Sequence, residues 1–97
     1  MIDPYIIRAD GEVIPYPPKN PKSGYTLGEI QSAVGGLFAM VETVIGGNPV
    51  LVLMDEEGAL KDSPINHVVS NMAFPEGGAP WAKVWGDVLI CNPRDVK

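Results

Sequence analysis

Tyr25-Thr26-Leu27-Gly28-Glu29-Ile30-Gln31-Ser32-Ala33-Val34-Gly35-Gly36 contains a helix start, an apolar stripe and a helix stop. Thr26 and Glu29 are spaced as a capping box. The threonine hydroxyl accepts from the backbone N–H of Glu29, and the glutamate carboxylate reaches back to the N–H of Thr26. The same carboxylate suits the positive end of the helix. Leu27, Ile30 and Val34 fall on one helical face, with Glu29, Gln31 and Ser32 largely outside it. Gly35-Gly36 then supplies the left-handed conformation that closes a helix. Isolated helices need about 12–15 residues to be stable in water, so this one must rest its apolar face on a sheet. The expected fold is α+β: a small, mainly antiparallel sheet with one capped short helix packed on it.

Strand signals surround the helix. Tyr5–Arg8 and Glu12–Tyr16 flank Ala9-Asp10-Gly11, whose Asp-Gly pair marks a hairpin turn. Residues 15–23 form a Pro-rich connector in which each proline removes a backbone donor and restrains its predecessor. Beyond the helix, Leu37–Val44 reads as a strand, Ile45-Gly46-Gly47-Asn48-Pro49 as a break, and Val50–Met54 as a strand buried on both faces. These two strands should pair antiparallel. Asn66–Ala73 reads either as a second short helix capped by Asn66 or as an irregular turn, since Val68-Val69 weakens helical preference. Residues 74–81 form a Gly/Pro loop. Val84–Cys91 is the last core strand, ended by Asn92-Pro93.

The 97 residues suffice for a single domain, 1–97, with one modest core. Seven basic residues against twelve acidic ones leave a net charge of −5, and the basic residues are scattered. Such a surface repels a phosphate backbone, so no nucleic-acid polymer is expected as partner. The apolar runs are far shorter than the roughly 20 residues that span a bilayer, and no membrane association is expected. Cys91 is the only cysteine, which rules out an intrachain disulfide and suits a reducing compartment. The Met1-Ile2-Asp3-Pro4 start lacks a secretory pattern, and the expected location is the cytoplasm, that of the host if the chain is phage-encoded.

Residues with chemical potential are few. The acidic turn Asp55-Glu56-Glu57, with Asp62, offers oxygen ligands but lacks the alternation and terminal glutamate of a calcium loop. It reads as a solvated turn, and no metal or cofactor is expected. His67 has neighbours in Asp62, Ser63 and Ser70, yet proximity in sequence is poor evidence for a triad, whose members converge from separate elements. Cys91 ends an apolar strand, where a thiol behaves as a small hydrophobe. Trp81, Lys83 and Trp85 alternate. If extended, they share one face suited to stacking a base or anchoring a protein; otherwise Trp85 fills the core and Trp81 covers its edge.

Taken together, Tyr25-Thr26-Leu27-x-Glu29-Ile30-Gln31-x-x-Val34-Gly35-Gly36, Asp55-Glu56-Glu57-Gly58-x-Leu60-Lys61, Pro64-x-Asn66 and Trp85-Gly86-Asp87-Val88-Leu89 resemble a domain family of unknown function common in bacteriophage and prophage genomes. The resemblance covers about Tyr25 to Ile90. It implies a small α+β phage accessory protein and carries over no catalytic residues. The Pro-rich connector and the Gly/Pro loop depart from the family pattern.

The expectation is therefore a non-enzymatic phage counter-defence protein that sequesters a small nucleotide immune signal, built as a homo-oligomer. Tyr25, Asn66, Trp81 and Trp85 would stack on or hydrogen-bond a base, and Lys61, Lys83 or Arg8 would meet phosphate. The alternative is inhibition of a host or defence protein by direct contact through the acidic turn and exposed strand edges. A small hydrolase using His67 or the acidic cluster is the third reading.

Overall fold

The capping box predicted at Thr26 is formed in the computed structural model, which describes residues 2–57, 64–69 and 84–96. Helix α1 spans Leu27–Val34. Glu29 N–H donates to Thr26 Oγ1 at 3.1 Å, and Thr26 N–H donates to Glu29 Oε1 at 3.0 Å. A cap of this kind contributes about 1 kcal/mol. The Glu29 carboxylate takes a second backbone donor, Lys19 N–H at 3.2 Å, so it ties the connector to the helix start. The N–H donated by Thr26, then that of Lys19, holds this carboxyl below its ordinary range. Gly35, at φ 93°, closes the helix by donating to Gln31 O at 2.7 Å.

One element of the predicted stripe is corrected. Leu27 is 61% exposed, and the buried face consists of Ile30, Ala33 and Val34. Ala33 and Val34 follow Ile30 by three and four residues and so share its side of the helix. Leu27, on the first turn, does not reach the sheet.

The sheet is wholly antiparallel. Its strands are β1 (Tyr5–Ile7), β2 (Val13–Pro15), β3 (Phe38–Ile45), β4 (Asn48–Asp55) and β5 (Val88–Cys91), in the order β2-β1-β5-β4-β3. Two hairpins thus flank β5, the last strand in sequence. Because β2 and β3 are opposite edges, the chain must cross the sheet between them, and α1 lies within that crossing. Alternation divides the core into two layers. Ile6, Leu51, Leu53, Leu89 and Cys91 pack beneath Ile30, Ala33 and Val34 of α1. Ile7, Val50, Val52, Val88 and Ile90 face the other way, against Val69 and Val84.

Several predicted boundaries move. The Ile45–Pro49 break is only a two-residue turn, Gly46-Gly47 with φ 58° and 81°, and β4 begins at Asn48. Pro49 is tolerated because β5 pairs with β4 only over Leu51–Leu53, leaving this end of the strand with β3 alone. The last strand begins at Val88 rather than Val84. Gly86 adopts φ 76°, and Trp85 makes an isolated antiparallel bridge to Ile65. Residues 67–69 are helical, with Asn66 Oδ1 accepting from Val69 N–H at 3.1 Å. After Cys91 the chain forms a 3-10 turn, Pro93–Asp95, that had no counterpart in the sequence reading. The rest of the second-helix segment and the 74–81 loop lie outside the described residues.

Candidate functional site

Antiparallel order brings the end of β1, the start of β5, the end of β4 and the end of α1 to one side of the molecule. They enclose an open cleft of about 370 Å³. Ser32, Val34 and Gly35 form its helical wall, Asp55 and Pro64 a second, and Ala9, Gly86 and Asp87 the third. The stretches set apart in the sequence at 25–36, 55–61, 64–66 and 85–89 each place at least one described residue on this cleft.

Hydrogen bonds hold the walls. Asn66 is fully buried, and its Nδ2 donates to Ile7 O at 2.9 Å and to Gly86 O at 3.0 Å. Asn66 N–H donates to Val84 O and Gly86 N–H to Pro64 O, both at 2.7 Å. Asp87 Oδ1 accepts from Ala9 N–H at 3.1 Å, and Asp87 Oδ2 lies 3.7 Å from Arg8 Nε. Arg8 and Asp87 are half-exposed, so this ion pair marks the rim and adds little to stability. Asp55 Oδ1 accepts from Glu57 N–H at 2.9 Å and so shapes the acidic turn. The last turn of α1 has no basic residue. Its carbonyl end adds partial negative charge to that of Asp55 and Asp87. Asp55, Asp87 and the helix end thus bring negative charge to the cleft, with Arg8 pairing Asp87 at its rim.

Of the predicted binding residues, Tyr25, Asn66 and Trp85 are described, and Tyr25 lies apart from the other two. Tyr25 is buried on the helix side of the sheet and stacks on Tyr16, with ring centroids 5.9 Å apart and planes at 7°. Its hydroxyl donates to Tyr16 O, while Tyr16 OH donates to Glu29 O at 2.8 Å. Burial, then the charge of Cys91, raises the Tyr25 hydroxyl well above its ordinary range. Asn66 belongs to a segment whose Val69 packs on the opposite face, and Trp85, half-buried, sits beside it on the Ile65 bridge. His67 is exposed. Lys61, Asp62, Ser63, Ser70, Trp81 and Lys83 lie outside the described residues.

Among the described candidates for ligand contact, Arg8 alone reaches the rim of the cleft, through its pairing with Asp87. The sequence reading assigned no role to Asp87 or Ser32. The available signal was Gly86-Asp87, a turn residue and a carboxylate directly before an apolar run.

Cys91 is buried, and burial, then the Asp95 charge, pushes its thiol up to about 12. A thiol held protonated in the fold is a poor nucleophile. Because its folded-state pKa exceeds the ordinary value of 9.0, its contribution to stability is complete below about pH 9. That contribution is lost as pH rises toward 12. The expected result is slow labelling by a maleimide at neutral pH, at the rate of global unfolding, with denaturation midpoints falling above pH 9. Rapid labelling of the native protein would contradict this.

Among the described residues no helix is long and apolar enough to cross a membrane. An antiparallel sheet with one covering helix and a carboxylate-rimmed recess at its strand ends defines a small α+β domain with a ligand-sized cleft. The chain belongs to the family described as Domain of unknown function (DUF3846), whose model matches residues 5–97. No curated protein and no solved structure matches it.

Proposed function

We propose that this domain is a non-enzymatic binding protein of the phage accessory kind implied by the sequence resemblance, acting in counter-defence. In this reading it sequesters a small nucleotide at the cleft between α1 and Gly86-Asp87. The observation that carries the proposal is that residues from four separated stretches, 25–36, 55–61, 64–66 and 85–89, meet on one recess of about 370 Å³. That volume lies within the roughly 300–1,000 Å³ usual for small-molecule sites.

The charge of the recess sets the ligand's orientation. Carboxylates accept hydrogen bonds and repel phosphate, so a base presenting N–H donors, as guanine does, enters toward Asp87. The phosphate stays outside, toward the half-exposed Arg8.

Native mass spectrometry of the protein mixed with cyclic oligonucleotides, ADP-ribose derivatives and nucleoside monophosphates tests this directly. One retained ligand mass is expected, with guanine preferred to adenine. Asp87→Asn should weaken binding at least tenfold, since it turns one acceptor into a donor and loses a charge-assisted hydrogen bond. An unliganded spectrum across the pool would reject the proposal, and new product masses would favour the hydrolase reading.

Direct contact with a host or defence protein is the second reading. It is favoured by the acidic turn Asp55-Glu56-Glu57 lying at the start of the edge strand β3, where Phe38 pairs with Asp55. Co-purification of one stoichiometric host polypeptide would select it.

A further inference from the structure

The two edges of the sheet are unlike. β2 has three residues and ends in Pro15, which is how natural sheets blunt an edge. β3 has eight residues, no proline and a single charge, Glu42. A two-residue turn makes Ile45 and Asn48 a hydrogen-bonded pair. Odd-numbered β3 residues consequently turn their amides and carbonyls toward β4, in phase with the Glu56 N–H to Leu37 O bond at 2.9 Å. The backbone groups of Phe38, Met40, Glu42 and Val44 point outward, where no described strand pairs with them. Beside this row Met40 is 52% exposed and Val44 63%.

We propose that the β3 edge is the surface on which two copies of this chain pair, antiparallel, about a two-fold axis at Val41. Charge selects this arrangement. An axis at Glu42 would set two like charges opposite each other, which destabilises a cross-strand pair. An axis at Val41 instead places Met40 opposite the partner's Glu42 and Phe38 opposite the partner's Val44. Apolar groups are covered and no carboxylate faces another. The acidic turns fall at opposite ends of the shared strands, about 26 Å apart at ~3.3 Å per residue, beyond the Debye length of ~8 Å at physiological salt. Parallel pairing would bring them together. The paired strands form a continuous ten-stranded sheet in which Met40 and Val44 of both copies make one apolar strip. The surface is self-complementary, as a two-fold interface requires.

The test measures the mass of the full chain in solution by light scattering across a dilution series, with two kinds of variant. The wild type is expected at twice the chain mass. Met40→Pro removes an outward amide without touching the β3–β4 ladder and should raise the dimer dissociation constant at least tenfold, with far-UV circular dichroism unchanged. Val41→Cys places two cysteines in a non-hydrogen-bonded pair on the axis, with Cα atoms ~4.5 Å apart, within disulfide range. Under mild oxidation it should give a covalent dimer, whereas Val44→Cys should not. A monomeric wild type overturns the proposal. So does a dimer that is indifferent to Met40→Pro and fails to cross-link at Val41→Cys, or an edge that pairs only with a strand of another protein.

Discussion

Asn66→Ala is expected to lower the unfolding free energy by about 4 kcal/mol, the upper range for a single substitution. The wild-type amide is fully buried and makes three hydrogen bonds: two donated, to Ile7 O and Gly86 O, and one accepted, from Val69 N–H. Alanine leaves all three backbone groups without their partner. Each buried orphan costs about 1–3 kcal/mol, reduced where water enters. For a domain of this size the midpoint of thermal unfolding should fall by roughly 4–8 °C per kcal/mol.

Asn66→Asp provides a sharper measurement, because it keeps the acceptor for Val69 and turns the donor into an oxygen facing two carbonyls. That carboxyl folds only when protonated, so its pKa is raised in the native state. Stability of the variant should be greatest below the ordinary carboxylate range and fall as pH rises through it. Urea unfolding at acid and neutral pH measures this. A variant equally stable at both would mean that Asn66 does not join the 64–69 segment to β1 and the Gly86 turn.

Asn66 also marks the reach of local sequence patterns. Thr26 and Glu29 were legible because both partners of the capping box lie within four residues. The Gly35 stop was legible for the same reason. Asn66 was legible only as a cap: its acceptors Ile7 and Gly86 lie 59 and 20 residues away, and no local pattern encodes them. The same limit hid the placement of β5 between the two hairpins, since a strand's apolar alternation does not name its neighbours. Trp85 extended the apolar run across Gly86, whose positive φ starts the strand only at Val88. Tyr25 stood out as an aromatic available for a base, and the fold gives its ring to Tyr16. For the candidate site, the contributing stretches were visible one by one, and their convergence followed only from the sheet order. Trp81, Lys61 and Lys83, outside the described residues, remain expectations.

Gly24→Ala is expected to destabilise the domain by about 3 kcal/mol, for a reason quite different from hydrogen-bond loss at a side chain. Gly24 has φ 78°, and a Cβ added there would lie 2.3 Å from Asp95 O and 2.9 Å from Asp95 C. That carbonyl accepts from Tyr25 N–H at 2.8 Å, so it cannot withdraw without breaking the contact that docks the connector on the 3-10 turn. The turn is itself fixed, because the Asp95 carboxylate takes both Asn92 N–H at 3.1 Å and Asn92 Nδ2 at 3.0 Å. Asn92 Nδ2 also donates to Ile2 O at 2.9 Å. The strain therefore passes into a clasp joining the residues before β1, the connector and the chain after β5.

Gly35→Ala isolates the backbone part of the effect, since Gly35 has φ 93° but a Cβ added there would meet nothing within 4 Å. It should cost only the left-handed penalty of about 1–2 kcal/mol. The difference between the two variants in urea midpoint, at unchanged slope, measures the close approach at Asp95. Equal midpoints would show that the 92–95 turn yields freely, and that the connector is held by Glu29 and Tyr16 instead.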